Sequence, residues 1–242
     1  MTEWVAGRIP VLECLRARKR QARRLFLLSE AKGIEAIKAA AGNLPIQYCS
    51  RQELNKILPD ALHQGVILEA DPLPVWDIQD WIRQPHAPST TLVALDEISD
   101  PHNFGAIVRN AEACGANAVL FCVRHAAPIT PVVLKSAAGA MEHIDLIAVT
   151  NLVRALKKLK ETGFWIIALD PSGPKTLWET DLTGKTVFVV GSEGKGVRRL
   201  VRETCDTAVR IPLVGATSSL NASVSAGIVL AECLRQKTGK TL

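Results

Sequence analysis

Residues 187–200 read VFVVGSEGKGVRRL. The first four are apolar and branched or aromatic, with no polar residue between them, which marks a strand buried on both faces. Gly191, Gly194 and Gly196 then form a turn, and a basic helix follows. Strand, glycine turn and helix in that order belong to a parallel sheet with helices on either side. The turn offers backbone N–H groups that suit a nucleotide. Its glycines are spaced G-x-x-G-x-G and no Ser or Thr follows Lys195, so it is neither a dinucleotide fingerprint nor a phosphate loop.

On either side the same pattern repeats. TLVALDEI (91–98), ANAVLFCV (116–123), HIDLIAV (143–149), FWIIALD (164–170) and TAVRIPL (207–213) are strand-length apolar runs. Helices are expected between them at 103–114, 130–140 and 151–163, and at about 220–236 at the end. The first 70 residues alternate independently. GRIPVLECLR, IEAIKAAAG and RQELNKILPD are helical, and RRLFLLS, IQYCS and HQGVILEA are strands. That order, αβαβαβ, gives a small separate α/β domain over 1–70. Residues 71–88 hold four prolines and two tryptophans and are expected to be a linker, with Trp76 and Trp81 packing it onto a neighbouring domain. The second domain is expected at 89–242.

Composition bounds the function. Charged residues make up 22% and apolar ones 48%, as in an ordinary soluble domain. No run of about 18 apolar residues exists and the start lacks a signal peptide, so a cytoplasmic protein with no membrane partner is expected. Six cysteines are scattered without a C-x-x-C, which argues against a metal site or a disulfide framework. The net charge of +5 is uneven. Residues 1–70 carry 11 basic and 7 acidic groups, 71–100 carry 1 and 6, and 101–242 carry 17 and 11. Six of the nine residues in 16–24 are basic: Arg16, Arg18, Lys19, Arg20, Arg23 and Arg24. Such a run is either a solvated helix face or a patch for RNA phosphates.

Three segments place polar residues beyond the carboxyl ends of the strands, where an open parallel sheet binds ligands. In DPHNFGAIVRNAEACG (100–115), Asp100 or Asn103 can cap the helix and Gly105 and Ala106 admit a close neighbour. Arg109 there is either an exposed or ion-paired helix residue or a functional one. In the glycine turn, Glu193 is either a helix cap or a ligand contact. In IPLVGATSSLNASVSAGIVLAECL (211–234), Ser218, Ser219, Asn221, Ser223 and Ser225 crowd a helix start. Capping accounts for one or two of them, not five.

Together the three segments resemble the SpoU (TrmH-type) family of the SPOUT superfamily. The resemblance rests on Asn103, Gly105, Ala106 and Arg109, on Gly191, Glu193 and Gly196, and on Ile211, Pro212, Gly215, Ser219, Leu220 and Asn221. GRIPVLECL and His63–Val66 also resemble the family's RNA-binding extension, an L30e-like domain. Phe104 and Ala222 stand where other aliphatic residues are common.

The resemblance implies transfer of a methyl group from S-adenosylmethionine to a ribose 2'-hydroxyl, of a guanosine in 23S rRNA or of tRNA. The alternative is a non-catalytic RNA-binding or ribosome-assembly protein on the same scaffold. It further implies a C-terminal trefoil knot and a homodimer whose interface lies beside the site. Gly191, Ile211 and Leu220 would hold the cofactor through their backbones, with Ser219 and Gly215 nearby. Arg109 would be the base or orienter, and Asn103, Glu193, Ser219 and Asn221 would shape the pocket. An arginine base would have to fall from a pKa of about 12.5 to about 7.5, costing roughly 7 kcal/mol. The milder role, anchoring phosphate and stabilising the developing oxyanion, is therefore preferred for Arg109.

Overall fold

A computed structural model describes residues 2–59, 62–124 and 127–239. The N-terminal domain contains β1 (Glu3–Ala6), α1 (Arg8–Ala17), β2 (Ala22–Leu28), α2 (Glu35–Ala41), β3 (Ile46–Cys49), α3 (Arg51–Ile57) and β4 (Val66–Ala70). Its sheet runs β1-β4-β2-β3, antiparallel except for the β2–β3 pair. The sequence reading began with α1 and missed β1. Four residues on a sheet edge, with one buried side chain, are too few to show a period. Ser50 and Glu53 form a reciprocal capping box that starts α3.

The C-terminal domain follows with β5 (Trp76–Asp77), α4 (Ile78–Ile82), β6 (Thr91–Asp96), α5 (Pro101–Ala113), β7 (Ala118–Cys122), α6 (Pro131–Ala137), β8 (Asp145–Val149) and α7 (Leu152–Glu161). It ends with β9 (Trp165–Leu169), β10 (Lys175–Thr176), β11 (Thr186–Gly191), α8 (Arg199–Thr204), β12 (Thr207–Arg210) and α9 (Ala222–Thr238). Its eight strands are ordered β10-β12-β9-β11-β6-β7-β8-β5, and every pairing is parallel. Two apolar layers cover the sheet. On one face α5, α6 and α9 enclose Phe104, Ile107, Phe188 and Val229. On the other α4 and α7 enclose Trp81, Leu156 and Phe164. Phe104 is fully buried against Phe121, ring centroids 5.3 Å apart.

The stretch expected to be a linker contains β5 and α4, which pair and pack with the C-terminal sheet. Asp77 caps α4 by accepting from the Gln79 N–H at 2.7 Å. The helix is too short to show a helical period. Both tryptophans donate to Asp145, Trp76 at 3.1 Å and Trp81 at 3.0 Å.

The two domains meet along residues 139–145. Arg20 reaches Glu142 at 2.5 Å and Glu3 at 2.9 Å. Lys19 donates to the Ile144 carbonyl at 2.5 Å, and His143 pairs with Glu13 at 2.9 Å. Gly139 has φ 89°, and a Cβ there would fall 2.6 Å from the Glu13 Cβ. Among the described residues no helix is long and apolar enough to cross a membrane, and no group of three His, Cys, Asp or Glu is placed to hold a metal ion. Burial pushes the Cys14 thiol up to about 11 and the Cys205 thiol up to about 12, so neither is a ready nucleophile.

Candidate active site

The site forms where β6, β9, β11 and β12 release their loops. Gly191 ends β11 in register with Asp96 at the end of β6. The turn that follows folds back on itself, and the Gly196 N–H donates to the Ser192 carbonyl at 2.9 Å. A Cβ on Gly191 would lie 2.1 Å from the Gly196 carbonyl carbon, so only glycine fits there. Gly194 and Gly196 adopt φ 81° and 66°, the left-handed region that favours glycine. α8 starts only at Arg199, so Glu193 is not a cap of that helix.

Glu193 instead faces two amides. Asn103 Nδ2 donates to Glu193 Oε1 at 3.0 Å, and Asn221 Nδ2 donates both to the same oxygen and to Asn103 Oδ1, the latter at 2.9 Å. These three residues come from the three segments singled out in the sequence. They hold a closed triangle of hydrogen bonds over the end of the sheet. Each corner is fixed by local structure. Asp100, not Asn103, caps α5, accepting from His102 and Asn103 N–H groups. Asn221 caps α9, its Oδ1 accepting from Ser223 N at 2.8 Å, so both ends of its amide are used. Asn110 Nδ2 donates to the Ser223 carbonyl at 2.9 Å and ties the start of α9 to α5. Gly105 lets α6 close in, since a Cβ there would lie 2.5 Å from the Ser136 Cβ.

Beside the triangle is a cavity of about 600 Å³. Its walls include Leu169, Val190, Gly191, Val209, Ile211 and Leu220, and its polar groups include Ser192, Glu193, Ser219, Asn221 and Ser225. The size and the mixture of apolar walls with few polar groups suit a nucleoside-sized ligand. Asp170 also lines it. Burial pushes its carboxyl up, but hydrogen bonds from Ser172 and Arg202 outweigh this and hold it below the ordinary carboxylate range.

The expected residues are therefore only partly brought together. Gly191, Glu193, Ile211, Ser219, Leu220 and Asn221 line the cavity, and Asn103 joins them through Glu193. Ser218 and Ser219 precede α9 rather than forming its start. Gly215 lies on the exposed part of the 211–221 loop, with open space around it, and does not line the cavity. Arg109 also lies outside it. The side chain is exposed and makes no ion pair or side-chain hydrogen bond among the described residues. Lys19 and Arg20 of the basic run are engaged at the domain junction, and Arg23 pairs with Asp71 at 2.8 Å. Arg16, Arg18 and Arg24 remain exposed. The sequence reading singled out neither Asp96 nor Asp170, which Arg198 and Arg202 meet. Acids at strand ends gave a signal, but only the fold shows which arginine meets each.

A parallel sheet carrying this cavity and joined to a small basic domain, taken with the family matches that follow, makes the chain an S-adenosylmethionine-dependent RNA 2'-O-ribose methyltransferase. Residues 90–231 match the SpoU rRNA methylase family, and residues 4–76 match the RNA 2'-O ribose methyltransferase substrate-binding domain. The chain belongs to the SpoU rRNA methylase family. An uncharacterized tRNA/rRNA methyltransferase of Mycobacterium sp. (strain KMS) is 44% identical over 98% of this chain and 77% of its own length. The 23S rRNA (guanosine-2'-O-)-methyltransferase RlmB of Pseudomonas putida is 42% identical over 84% of this chain and 82% of its own length. The solved structure of the SpoU methyltransferase AviRb from Streptomyces viridochromogenes, in complex with AdoMet, has the same fold. It covers 98% of this chain and 91% of its own, with a TM-score of 0.82 at 23% identity.

Proposed function

We propose that this chain methylates the ribose 2'-hydroxyl of a guanosine of 23S rRNA, as a homodimer acting on RNA of the assembling ribosome in the cytoplasm. The observation that carries the reading is the Asn103–Glu193–Asn221 triangle beside a glycine-closed cavity. The choice of 23S rRNA leans on the similarity to the Pseudomonas putida enzyme and on the presence of a substrate-binding domain. Residues 1–70 would recognise the RNA and 89–242 would carry out the transfer.

The cavity fits S-adenosylmethionine. Its volume suits a nucleoside joined to an amino acid, and the turn at Gly191, which folds too tightly on Gly196 to admit a side chain, presents main chain along one wall. Gly191, Ile211 and Leu220 would hold it by backbone atoms, with Ser219 and Asn221 at its polar groups. When bound, it supplies an electrophilic methyl on a cationic sulfur. The loops on either side, 191–197 and 211–221, are those that a trefoil knot would thread.

Glu193 holds the two asparagine amides in place, which fixes α5 against α9 at the site. Arg109 lies six residues beyond Asn103 on α5, which turns it about 120° away from the triangle. It therefore serves the acceptor side. In a homodimer, this exposed guanidinium would stand beside the second copy's cavity, grip an RNA phosphate and donate to the 2'-oxygen as charge develops. Tritiated methyl transfer to 23S rRNA from a strain lacking the enzyme tests the reading, with the modified ribose then mapped. Methylation of tRNA alone, or no transfer to RNA, would defeat it.

A further inference from the structure

The two strands that feed opposite halves of the site leave the sheet side by side. β6 ends at Asp96 and passes through Glu97 toward α5, the helix of Asn103 and Arg109. β11 ends at Gly191, paired with Asp96, and passes into the glycine turn. One side chain closes both. The Arg198 backbone N–H donates to Asp96 Oδ2 at 2.8 Å, and its Nε donates to Oδ1 at 2.7 Å. A terminal guanidinium nitrogen lies 2.7 Å from Asp96 Oδ1, and the other lies 3.0 Å from Glu97 Oε1.

Asp96 is wholly buried, at 0% exposure. A carboxylate so placed is costly unless both oxygens are satisfied, and here one residue satisfies both. Glu97 has φ 57°, a left-handed conformation that a non-glycine residue adopts only when its surroundings impose it. Arg198 grips that residue too. The hydrogen bond that Arg198 donates to Asp96 raises the arginine pKa and outweighs burial, which lowers it, so the clamp stays charged. Arg198 belongs to the basic stretch that follows the glycine turn. The structure turns Arg198 inward at the moment the chain leaves the cavity wall, since Val197 lines the cavity and α8 begins at Arg199.

We infer that Arg198, through Asp96, is a positioning residue for the methyl donor. It pins the closing end of the glycine turn to the end of β6, so the cavity wall is already ordered before the donor arrives. Through Glu97 the same guanidinium fixes where the chain departs toward α5. This rests on the reading of the cavity as the S-adenosylmethionine site.

The test uses the full chain and three readouts: S-adenosylmethionine binding by calorimetry, RNA binding by filter retention, and steady-state transfer. The wild-type protein is titrated first. If it fails to bind S-adenosylmethionine, the reading of the cavity falls, independently of Arg198. Arg198→Lys keeps the charge but loses the fork, and Arg198→Met loses both. Each is expected to weaken donor binding at least about tenfold, the size of one lost charge-assisted hydrogen bond. The KM for the donor should rise, while RNA affinity and kcat at saturating donor stay within about twofold. Asp96→Asn should act in the same direction, and its combination with Arg198→Met should cost no more than the worse single change, because both break one clamp. Wild-type donor affinity in a folded Arg198→Lys or Arg198→Met protein would overturn the inference. So would a fall in RNA affinity with donor binding intact, which would assign Arg198 to the phosphates. Should Arg198→Met fail to fold, the Lys variant decides.

Discussion

Arg20 of the N-terminal domain and Glu142 of the C-terminal domain form an ion pair at 2.5 Å, with their side chains only 1% and 3% exposed. Each keeps one buried atom, Arg20 Nε and Glu142 Oε2, that no described residue satisfies. Removing Arg20 leaves Glu142 an unpaired buried charge, and removing Glu142 leaves the buried Arg20 with only Glu3 and the Asp71 carbonyl, whereas replacing both with apolar groups removes the desolvation cost as well. Glu142→Leu or Arg20→Met is expected to destabilise the protein by about 3–5 kcal/mol. The double variant should recover most of that. Denaturant unfolding checks this, with hydrogen exchange across 139–145 reporting whether the domain junction loosens. Additive losses in the double variant would refute it.

The same junction divides the basic run. Lys19 and Arg20 are spent on the catalytic domain, and Arg23 on Asp71. Arg16, Arg18 and Arg24 are exposed, although Arg16 also meets Glu13 at 3.0 Å. Replacing these three with Ala should weaken RNA binding and lower the slope of log affinity against log salt by about one per lost phosphate contact. Donor binding should be untouched. An unchanged salt slope would move the RNA surface elsewhere.

Gly191→Ala tests the turn. The new Cβ would lie 2.1 Å from the Gly196 carbonyl carbon, which is backbone and cannot swing aside. Opening the turn by a methyl group should cost about 1–3 kcal/mol of stability. The larger effect should be on donor binding, expected to fall below detection in calorimetry while the circular dichroism spectrum is retained. Gly194→Ala, with nothing within 4 Å but φ 81°, should cost only about 1 kcal/mol and leave some binding.

Asp170 gives a pH dependence with a definite sign. Its carboxyl is depressed in the folded chain, so the stability it contributes is present above the unfolded value of about 3.9 and is lost as pH falls through the folded one. The Tm gap between wild type and Asp170→Asn should thus be widest near neutral pH and shrink below about pH 4. A gap that widens with acid would contradict the pairing with Arg202.

Much of this was readable from the chain. Continuous apolar runs such as VFVV are buried on both sides of a parallel sheet, and Asn151 and Gly163 bound α7 as their chemistry dictates. Asn103, Glu193 and Asn221 were marked as polar intrusions, but sequence could not show that they meet, because 90 and 28 residues separate the partners. β1 and β5 were missed because strands of four and two residues show no period. Arg20 read as a surface cation because its counter-ion, Glu142, lies 122 residues away. The role expected of Arg109 rests on the resemblance, and its spacing alone left an exposed helix residue equally open. The helical turn between it and Asn103 sends it elsewhere.

Glu193 is the hub on which the assembled site depends. Its Oε1 accepts from both Asn103 and Asn221, and among the described residues those side-chain amides donate to no other carboxylate. Glu193→Gln keeps an oxygen in that place but gives up the charge, and Glu193→Ala gives up both. Each bond to a charged acceptor is worth about 1.5–3 kcal/mol, so Ala should lower single-turnover transfer by about a hundredfold or more and Gln by about tenfold. Because Asn221 also caps α9, Asn221→Asp is informative. It preserves the cap yet sets a second carboxylate against Glu193, and should lose activity with little loss of helix. Lowering the pH should partly restore that variant, as one of the two facing carboxyls takes a proton. If Gln and Ala prove equally active to the wild type, the triangle is only a scaffold and the chemistry must be sought on the acceptor side.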